Sequence, residues 1–330
     1  MLPFCFSTPA FAPDADSALL RARALNLGPE LGQGSICRVF EAECPATQQR
    51  FAVKRVPLPA ALAARRAVFE RLAREAAAAA ALAAAPGGPC TEIIVRHHAC
   101  VYDSTEEELY RGPCLARLRR QHPGGQLPEA RVRRIVAAVA AALGCLHGVG
   151  LLAVDLKAEN VVSDPAEGDP DRVVLVDLDL CHDVAGGRNH CGAAAAAAAA
   201  AGDGSGAADA GAGGERRWGT LEYLSYEVMQ DGAAAYSPAS DWWALGVLSY
   251  ELLYGRAPWS APNLEALLHR VATFSPPFPG PEEGGPQVSP GMQQLVRSLL
   301  RHRPEVRLGS RGGVEEVLAH AALQASCGAA

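Results

Sequence analysis

Between residues 127 and 181 one long amphipathic segment runs into three short apolar ones, and these carry carboxylates and an amide at their ends. Val132, Ile135, Val136, Val139, Leu143 and Leu146 recur at helical spacing, which predicts a helix from Leu127 to His147 with a single apolar stripe. Pro128 and Glu129 suit its first turn. LLAVDL, ENVV and VVLVDLDL follow, the last two separated by the polar loop SDPAEGDPDR. In VVLVDLDLC the unbroken apolar run before Asp177 predicts a strand buried on both faces. Such a strand ends on two carboxylates, Asp177 and Asp179, which demand a polar surrounding at its tip.

The rest of the chain arranges itself around that segment. Residues 1–26 are rich in Ala and Pro and predict a disordered tail. Residues 27–56 hold two strand-like runs around a glycine turn, LGQGSICRVFEAE, followed by RFAVKRV. Residues 60–85 are helical by composition and stop at PGG. TEIIVRHHACVYDS predicts a strand and loop. Residues 184–214 are nearly all Gly and Ala, have little to bury, and predict a disordered insertion. Helical patterns then run to about residue 324. The expected fold class is therefore α+β and bilobal: a small β-rich lobe over 27–110, a larger, mainly helical lobe over 111–324 that contains the insertion, and a tail at 325–330.

Composition narrows the setting. No apolar run reaches membrane-spanning length free of Gly, Pro or charge, so no integral membrane segment is expected. The N-terminus lacks a basic region before its apolar residues, which argues against secretion and leaves organelle targeting open. A formal charge of −6 gives no reason to expect nucleic acid or acidic membranes as partners. The ten cysteines form no Cys-x-x-Cys pair and are scattered. That argues against a disulfide framework and for a reducing compartment, cytoplasmic or nuclear. Cys90, His97, His98 and Cys100 lie close together, but their irregular spacing favours a plain strand and loop over a zinc site. Lys and Arg total 30, yet only Lys54 and Lys157 are lysines. Where lysine persists against that bias, an ammonium is specifically needed, because the two cations are not interchangeable.

Both lysines fall in chemical patterns. Gly32 and Gly34 sit in a hairpin between strand-like runs, where backbone amides can approach phosphates closely, although Cys37 occupies the third position of a G-x-G-x-x-G loop. Ala52-Val53-Lys54 follows on the next strand, from which the lysine can reach over those phosphates. In LLAVDLKAENVV, Asp155 can orient or accept the proton of an attacking hydroxyl. Lys157 can neutralise a transferring phosphate, and Asn160 can bind a metal through its amide oxygen.

From about residue 27 to 322 the chain resembles a eukaryotic protein kinase of the AGC class. The resemblance lies in D-x-K-x-x-N at 155–160, WGTLEYLSYEV, DWWALGVLSYELLYGRAPW and RPEVRLGSRGGVEEVLAH. Asp177-Leu178-Asp179 ahead of the Gly/Ala insertion, together with LARLRRQHPGGQLPE, is similar to the plant-type phototropin and PINOID group, which carries Asp-Phe-Asp where other kinases carry Asp-Phe-Gly. The resemblance implies ATP and Mg²⁺ as cofactors, a protein serine or threonine as substrate, and a monomer. It implies that Gly32, Gly34, Val39 and Ala52 line the ATP site, and that Lys54 pairs with the phosphates and with a helix glutamate, Glu75 or Glu70. Asp155 would be catalytic and Lys157 would stabilise charge. Asn160 and Asp177 would hold Mg²⁺. Thr220 would shape the substrate-side loop, Glu227 would pair with Arg307, and Asp241 would anchor the catalytic loop from below.

Several positions depart from the family pattern. The usual His-Arg-Asp reads Ala153-Val154-Asp155, which implies weak dependence on phosphorylation of the activation segment. Ala-Pro-Glu reads Ser225-Tyr226-Glu227. In EELYRGPCLARL, Leu109-Tyr110 resembles the start of the fifth strand and Gly112-Pro113 already resembles the linker after the hinge, so the hinge is short. Two functions follow: an active serine/threonine kinase, or a catalytically impaired kinase fold serving as a binding or scaffold module.

Overall fold

The computed structural model describes residues 26–33, 37–45, 48, 50–55, 75, 78, 81–82, 97–101, 104–108, 113–165, 169–178, 180–183, 207–208 and 217–324. The first part is an antiparallel five-stranded sheet. It contains β1 (Asn26–Gln33), β2 (Arg38–Glu43), β3 (Arg50–Arg55), β4 (His97–Val101) and β5 (Ser104–Glu108), in the order β1-β2-β3-β5-β4. Ala42, Phe51 and Val53 bury its apolar side. The residues at 75, 78, 81 and 82 are helical, as composition predicts for that region.

One strand lies earlier than expected. The partner of β3 is Ser104–Glu108, not a strand beginning at Leu109, and Phe51, Ala52 and Val53 pair with Glu108, Glu107 and Glu106. An acidic run carries no apolar alternation, so periodicity hides a strand that backbone pairing with β3 creates. Leu109 to Gly112 lie outside the described residues. The chain re-enters at Pro113, whose carbonyl accepts the N–H of Ser163, and at Cys114, which bridges to Val162.

Helices dominate the second part: α1 (Leu115–Arg120), α2 (Glu129–Gly148), α3 (Tyr226–Asp231), α4 (Pro238–Tyr254), α5 (Leu264–Thr273), α6 (Pro290–Leu299), α7 (Gly313–Leu318) and α8 (Ala321–Gln324). The predicted stripe of α2 is fully buried, and Glu129 also accepts hydrogen bonds from Ser289 at the start of α6. Helix α4 is the centre of the core. Ser237 and Ser240 form a capping box, Pro238 follows the cap, and sixteen of its residues, including Trp242, Trp243 and Tyr250, are buried. A helix buried on all sides must be surrounded, and α2, α6 and the 3₁₀ turn at Leu221–Tyr223 pack against it. Gly309, in the RLGSRGG motif, has φ +91° and lies flat on Trp242, where a Cβ would sit 2.7 Å from the indole.

Two short antiparallel strand pairs follow α2 in the chain. β6 (Leu151–Leu152) pairs with β9 (His182–Asp183), and β7 (Val161–Ser163) pairs with β8 (Val173–Leu175). Strand β8 is buried throughout, as the run VVLV predicts. Within the Gly/Ala stretch, β10 (Ala207–Ala208) pairs with β11 (Arg217–Trp218); the rest of 184–214 lies outside the described residues. Cys145 on α2 is disulfide-bonded, whereas Cys114 carries a thiol. Among the described residues no helix is long and apolar enough to cross a membrane.

Candidate active site

One register line of the sheet carries Lys54. Gly32 pairs with Val39, Val39 with Lys54, and Lys54 with Thr105, so one register line crosses β1, β2, β3 and β5. Ala52 lies two residues from Lys54 and shares its face. A Cβ at Gly32 would meet nothing within 4 Å, so no packing inside the protein calls for glycine there. Gly34, Glu70 and Asp179 lie outside the described residues.

Lys54 joins the two parts of the molecule. Its Nζ lies 3.2 and 3.3 Å from the carboxylate oxygens of Glu75 and 2.7 Å from Oδ1 of Asp177. Glu75 is fully buried and Lys54 nearly so. Glu75 is therefore the helix partner of Lys54. Burying two charges is tolerable only because each has a close partner of opposite sign. Asp177 follows β8 with φ +63°, a left-handed conformation that Asp enters more readily than most residues. That turn aims its carboxylate at Lys54 while the side chain stays about a third exposed, at 37%.

A second group forms on the loop after β6. Asp155 Oδ1 accepts both the N–H and the hydroxyl of Thr220, each at 3.0 Å. Oδ2 accepts Lys157 Nζ at 2.6 Å and Asn160 Nδ2 at 3.4 Å. Asn160 also gives Nδ2 to the Asp155 carbonyl at 2.9 Å, which turns its amide oxygen the other way. Burial lifts the Asp155 carboxyl above its ordinary value; Lys157 and the Thr220 hydroxyl pull it back, and the charge of Asp177 adds to the rise.

Below the loop, Asp241 on α4 accepts the backbone N–H of Ala153 at 2.9 Å and of Val154 at 3.0 Å, and lies 2.8 Å from His147 Nε2. Those two amides hold Val154 at φ +65°, an unfavourable conformation for a β-branched residue. The Val154 carbonyl then faces Gly219 (φ +99°), where a Cβ would come within 3.0 Å of it. Gly219 thus lets the segment after β11 lie against the loop just before Thr220 reaches Asp155.

Glu227 and Arg307 form a bidentate pair, both contacts at 2.7 Å, with Arg307 also donating to the carbonyls of Ala239, Arg301 and His302 and lying over the Trp243 ring. Tyr226, where the family pattern has proline, stacks on His302 at 4.8 Å.

The structure thus brings Lys54, Glu75 and Asp177 together in one cluster and Asp155, Lys157, Asn160 and Thr220 in another, with Asp241 beneath the second and Glu227–Arg307 bracing its far side. Sequence reasoning missed His147, Arg119, Tyr223 and Glu251. His147 ends the amphipathic stripe of α2, and its polarity at that position was the one available signal.

A model of the protein kinase domain matches residues 25–323. Among curated proteins, a serine/threonine-protein kinase, nrc-2 of Neurospora crassa, is 27% identical over 94% of this chain and 50% of its own length. Phototropin-2 of Oryza sativa subsp. japonica is 31% identical over 59% of the chain and 21% of its own length. Protein kinase PINOID of the same plant is 29% identical over 64% and 48%. The chain spans half or less of the length of these relatives. The last two are the group to which the Asp177-Leu178-Asp179 pattern is similar. A match that begins at the first strand and ends in the last helix, on a two-part fold joined through Lys54, makes this chain a member of the protein kinase family.

Proposed function

We propose that this chain is a serine/threonine protein kinase domain that transfers the γ-phosphoryl group of ATP, with Mg²⁺, to the hydroxyl of a protein serine or threonine. The observation that carries this reading is the pairing of Lys54 with both Glu75 and Asp177, near an Asp155 oriented by Thr220 and Lys157 and within reach of the Asp177 charge.

The donor set fits the cofactors. Asp177 and Asn160 offer a carboxylate and an amide oxygen, the hard donors Mg²⁺ prefers. Lys54 offers an ammonium beside Asp177 for phosphate oxygens, and Gly32, Val39 and Ala52 share its side of the sheet. Bound MgATP would supply the phosphoryl group and the cation that offsets its charge. The chain's own residues do the rest. Asp155 accepts a hydrogen bond from the substrate hydroxyl and takes its proton as the oxygen attacks; a carboxyl raised by burial is a better base than an ordinary aspartate. Lys157, 2.6 Å from Asp155, stands where charge builds on the transferring group. Asp241 fixes the backbone that carries Asp155, and Thr220 fixes the substrate-side loop against it.

The protein is mixed with MgATP and a basic generic substrate, beside D177A. Transfer that disappears in D177A supports the reading. Absence of transfer together with absence of a thermal shift by Mg-nucleotide overturns it, and a nucleotide shift without transfer identifies a binding module instead.

A further inference from the structure

Two features that commonly fix a helix start are absent from α3. Ser225 is its N-cap, yet the hydroxyl caps no backbone N–H and is buried without a hydrogen bond. The first helical residue is Tyr226, at a position where the fixed φ of a proline would pre-set the helix. The ring of Tyr226 makes the contact instead, stacked on His302 with 4.8 Å between centroids and 28° between planes. The column continues inward. His302 lies 6.1 Å from Trp243 of α4, and Trp243 stacks on Trp259 at 5.7 Å. Four rings from four places in the chain thus tie the start of α3 to the core.

His302 is the ring in that column whose ordinary titration falls near neutral pH. Its ring N–H donates to the Val271 carbonyl in the last turn of α5. From α3 the charge of Glu227 favours a proton on it, and Arg307 opposes one. Arg307 also covers the Trp243 face at 5.1 Å, so the aromatic surface that suits a second cation is already taken. Burial first, with Arg307, holds His302 below its ordinary value, and the neutral ring is the folded form. Its contribution to folding is complete above the ordinary histidine value and is lost as pH falls through the lowered folded value. The His302 carbonyl accepts Arg307 Nη2 at 3.2 Å, so a displaced His302 also disturbs the brace to Glu227. Thr220, six residues before Tyr226, holds Asp155, and the turn at Leu221–Tyr223 leads from one to the other. A movement at Tyr226 therefore reaches Thr220 through a short, hydrogen-bonded stretch. Small displacements of positioned groups are costly in transfer reactions.

Resting on the kinase reading above, we propose that the stacked Tyr226–His302 pair positions the Thr220 segment for the protein substrate, and that a proton on His302 loosens it. Weak acid then weakens use of the protein substrate and leaves the hold on ATP unchanged.

The test follows kcat/KM for a histone, as basic generic substrate, and KM for ATP from about pH 7.5 to about pH 5.5 in the parent, H302F, Y226F and Y226A. Protonation of Asp155 lowers kcat/KM in acid in all four alike, so ratios between variants isolate His302. H302F keeps a neutral ring. Its loss in acid is expected to be about three- to tenfold smaller than that of the parent, the range an aromatic pair is worth. Y226F keeps the stack and is expected to follow the parent within about twofold at both ends. Y226A lacks the stack and is expected to be lower by about three- to tenfold at neutral pH, with an acid loss no larger than that of H302F. Amide exchange over 220–231, corrected for its intrinsic pH dependence, is expected to quicken in acid in the parent and not in H302F. An acid loss in H302F less than about threefold smaller than the parent's overturns the proposal. So does a difference carried by the KM for ATP, or exchange that responds to acid equally in both. If H302F does not fold, Y226A against Y226F carries the same comparison. Melting curves of all variants separate positioning from unfolding, because a purely structural stack predicts a lower Tm with an unaltered pH profile. If the parent transfers no phosphate, the kinase reading fails by itself, and amide exchange still decides whether His302 holds α3.

Discussion

Replacing Arg307 probes how far the active part depends on a contact remote from the chemistry. Its guanidinium is buried, bonds both oxygens of Glu227 and donates to three backbone carbonyls. R307A would leave a nearly buried carboxylate without a counter-charge and those carbonyls without donors. Breaking one side of such a pair costs about 3–5 kcal/mol. For a domain of this size, where each kcal/mol moves Tm by about 2–4 °C, the expected drop in Tm is about 6–20 °C. R307K keeps the charge but not the planar fork, so it should recover only part of that loss. E227Q in the R307A background should restore stability, because it removes the orphaned charge. The assay is urea and thermal unfolding of the parent, R307A, E227Q and the double variant as a double-mutant cycle, with R307K beside them. A change under about 0.5 kcal/mol for both R307A and R307K, the behaviour of an exposed ion pair, would refute the reasoning.

Other expectations concern the site directly. D155N should lower kcat by about 10²–10⁴-fold. Because the folded Asp155 carboxyl is raised, its ionisation opposes folding. The stability tied to its protonated form is complete below the unfolded value and is lost as pH rises through the raised folded value. D155N should therefore be at least as stable as the parent at neutral pH, with the difference shrinking toward acid, as read by Tm against pH; a less stable D155N at neutral pH contradicts the assignment. V154N places a residue tolerant of positive φ where valine is strained, and should raise stability by about 0.5–1 kcal/mol in denaturant titration. The substrate-side segment is anchored through Gly219, Thr220 and Tyr223 with valine where an arginine would meet a phosphate. S205A should therefore keep transfer within about twofold of the parent, and a large loss traced to a phosphate at Ser205 would reject this.

The parts legible in the sequence are those whose signal is local. The stripe of α2 is written at helical spacing, and its apolar residues are buried as a set. Asp155, Lys157 and Asn160 stand within six residues of one another, so their order alone marks the loop. The helix partner of Lys54 needed a fold: Glu70 and Glu75 are five residues apart, a spacing that turns a helix by well over a third of a revolution, and only the contact itself singles out Glu75. Tyr223, Glu251 and Arg119 left no trace because they come from three separate elements, and nothing in a tyrosine's flanking residues shows that its hydroxyl will meet a glutamate 28 positions away. The strand at Ser104–Glu108 was hidden for a different reason. Backbone pairing to β3 tolerates three glutamates that a pattern of burial would never choose. The strain at Val154 likewise belongs to Asp241, 87 residues distant, and not to the dipeptide that bears it.

The scarcity of lysine has a further consequence. Both lysines of these 330 residues sit in the candidate site, one nearly buried and pinned between two carboxylates, the other 22% exposed and bonded to Asp155. Any chemistry aimed at side-chain amines of this chain, such as acylation, carbamylation or conjugation of ubiquitin, has no neutral place to land on its surface. Apart from the chain's α-amino group, an amine-reactive reagent thus finds only the candidate site to label, and the arginines leave the rest of the domain silent to it.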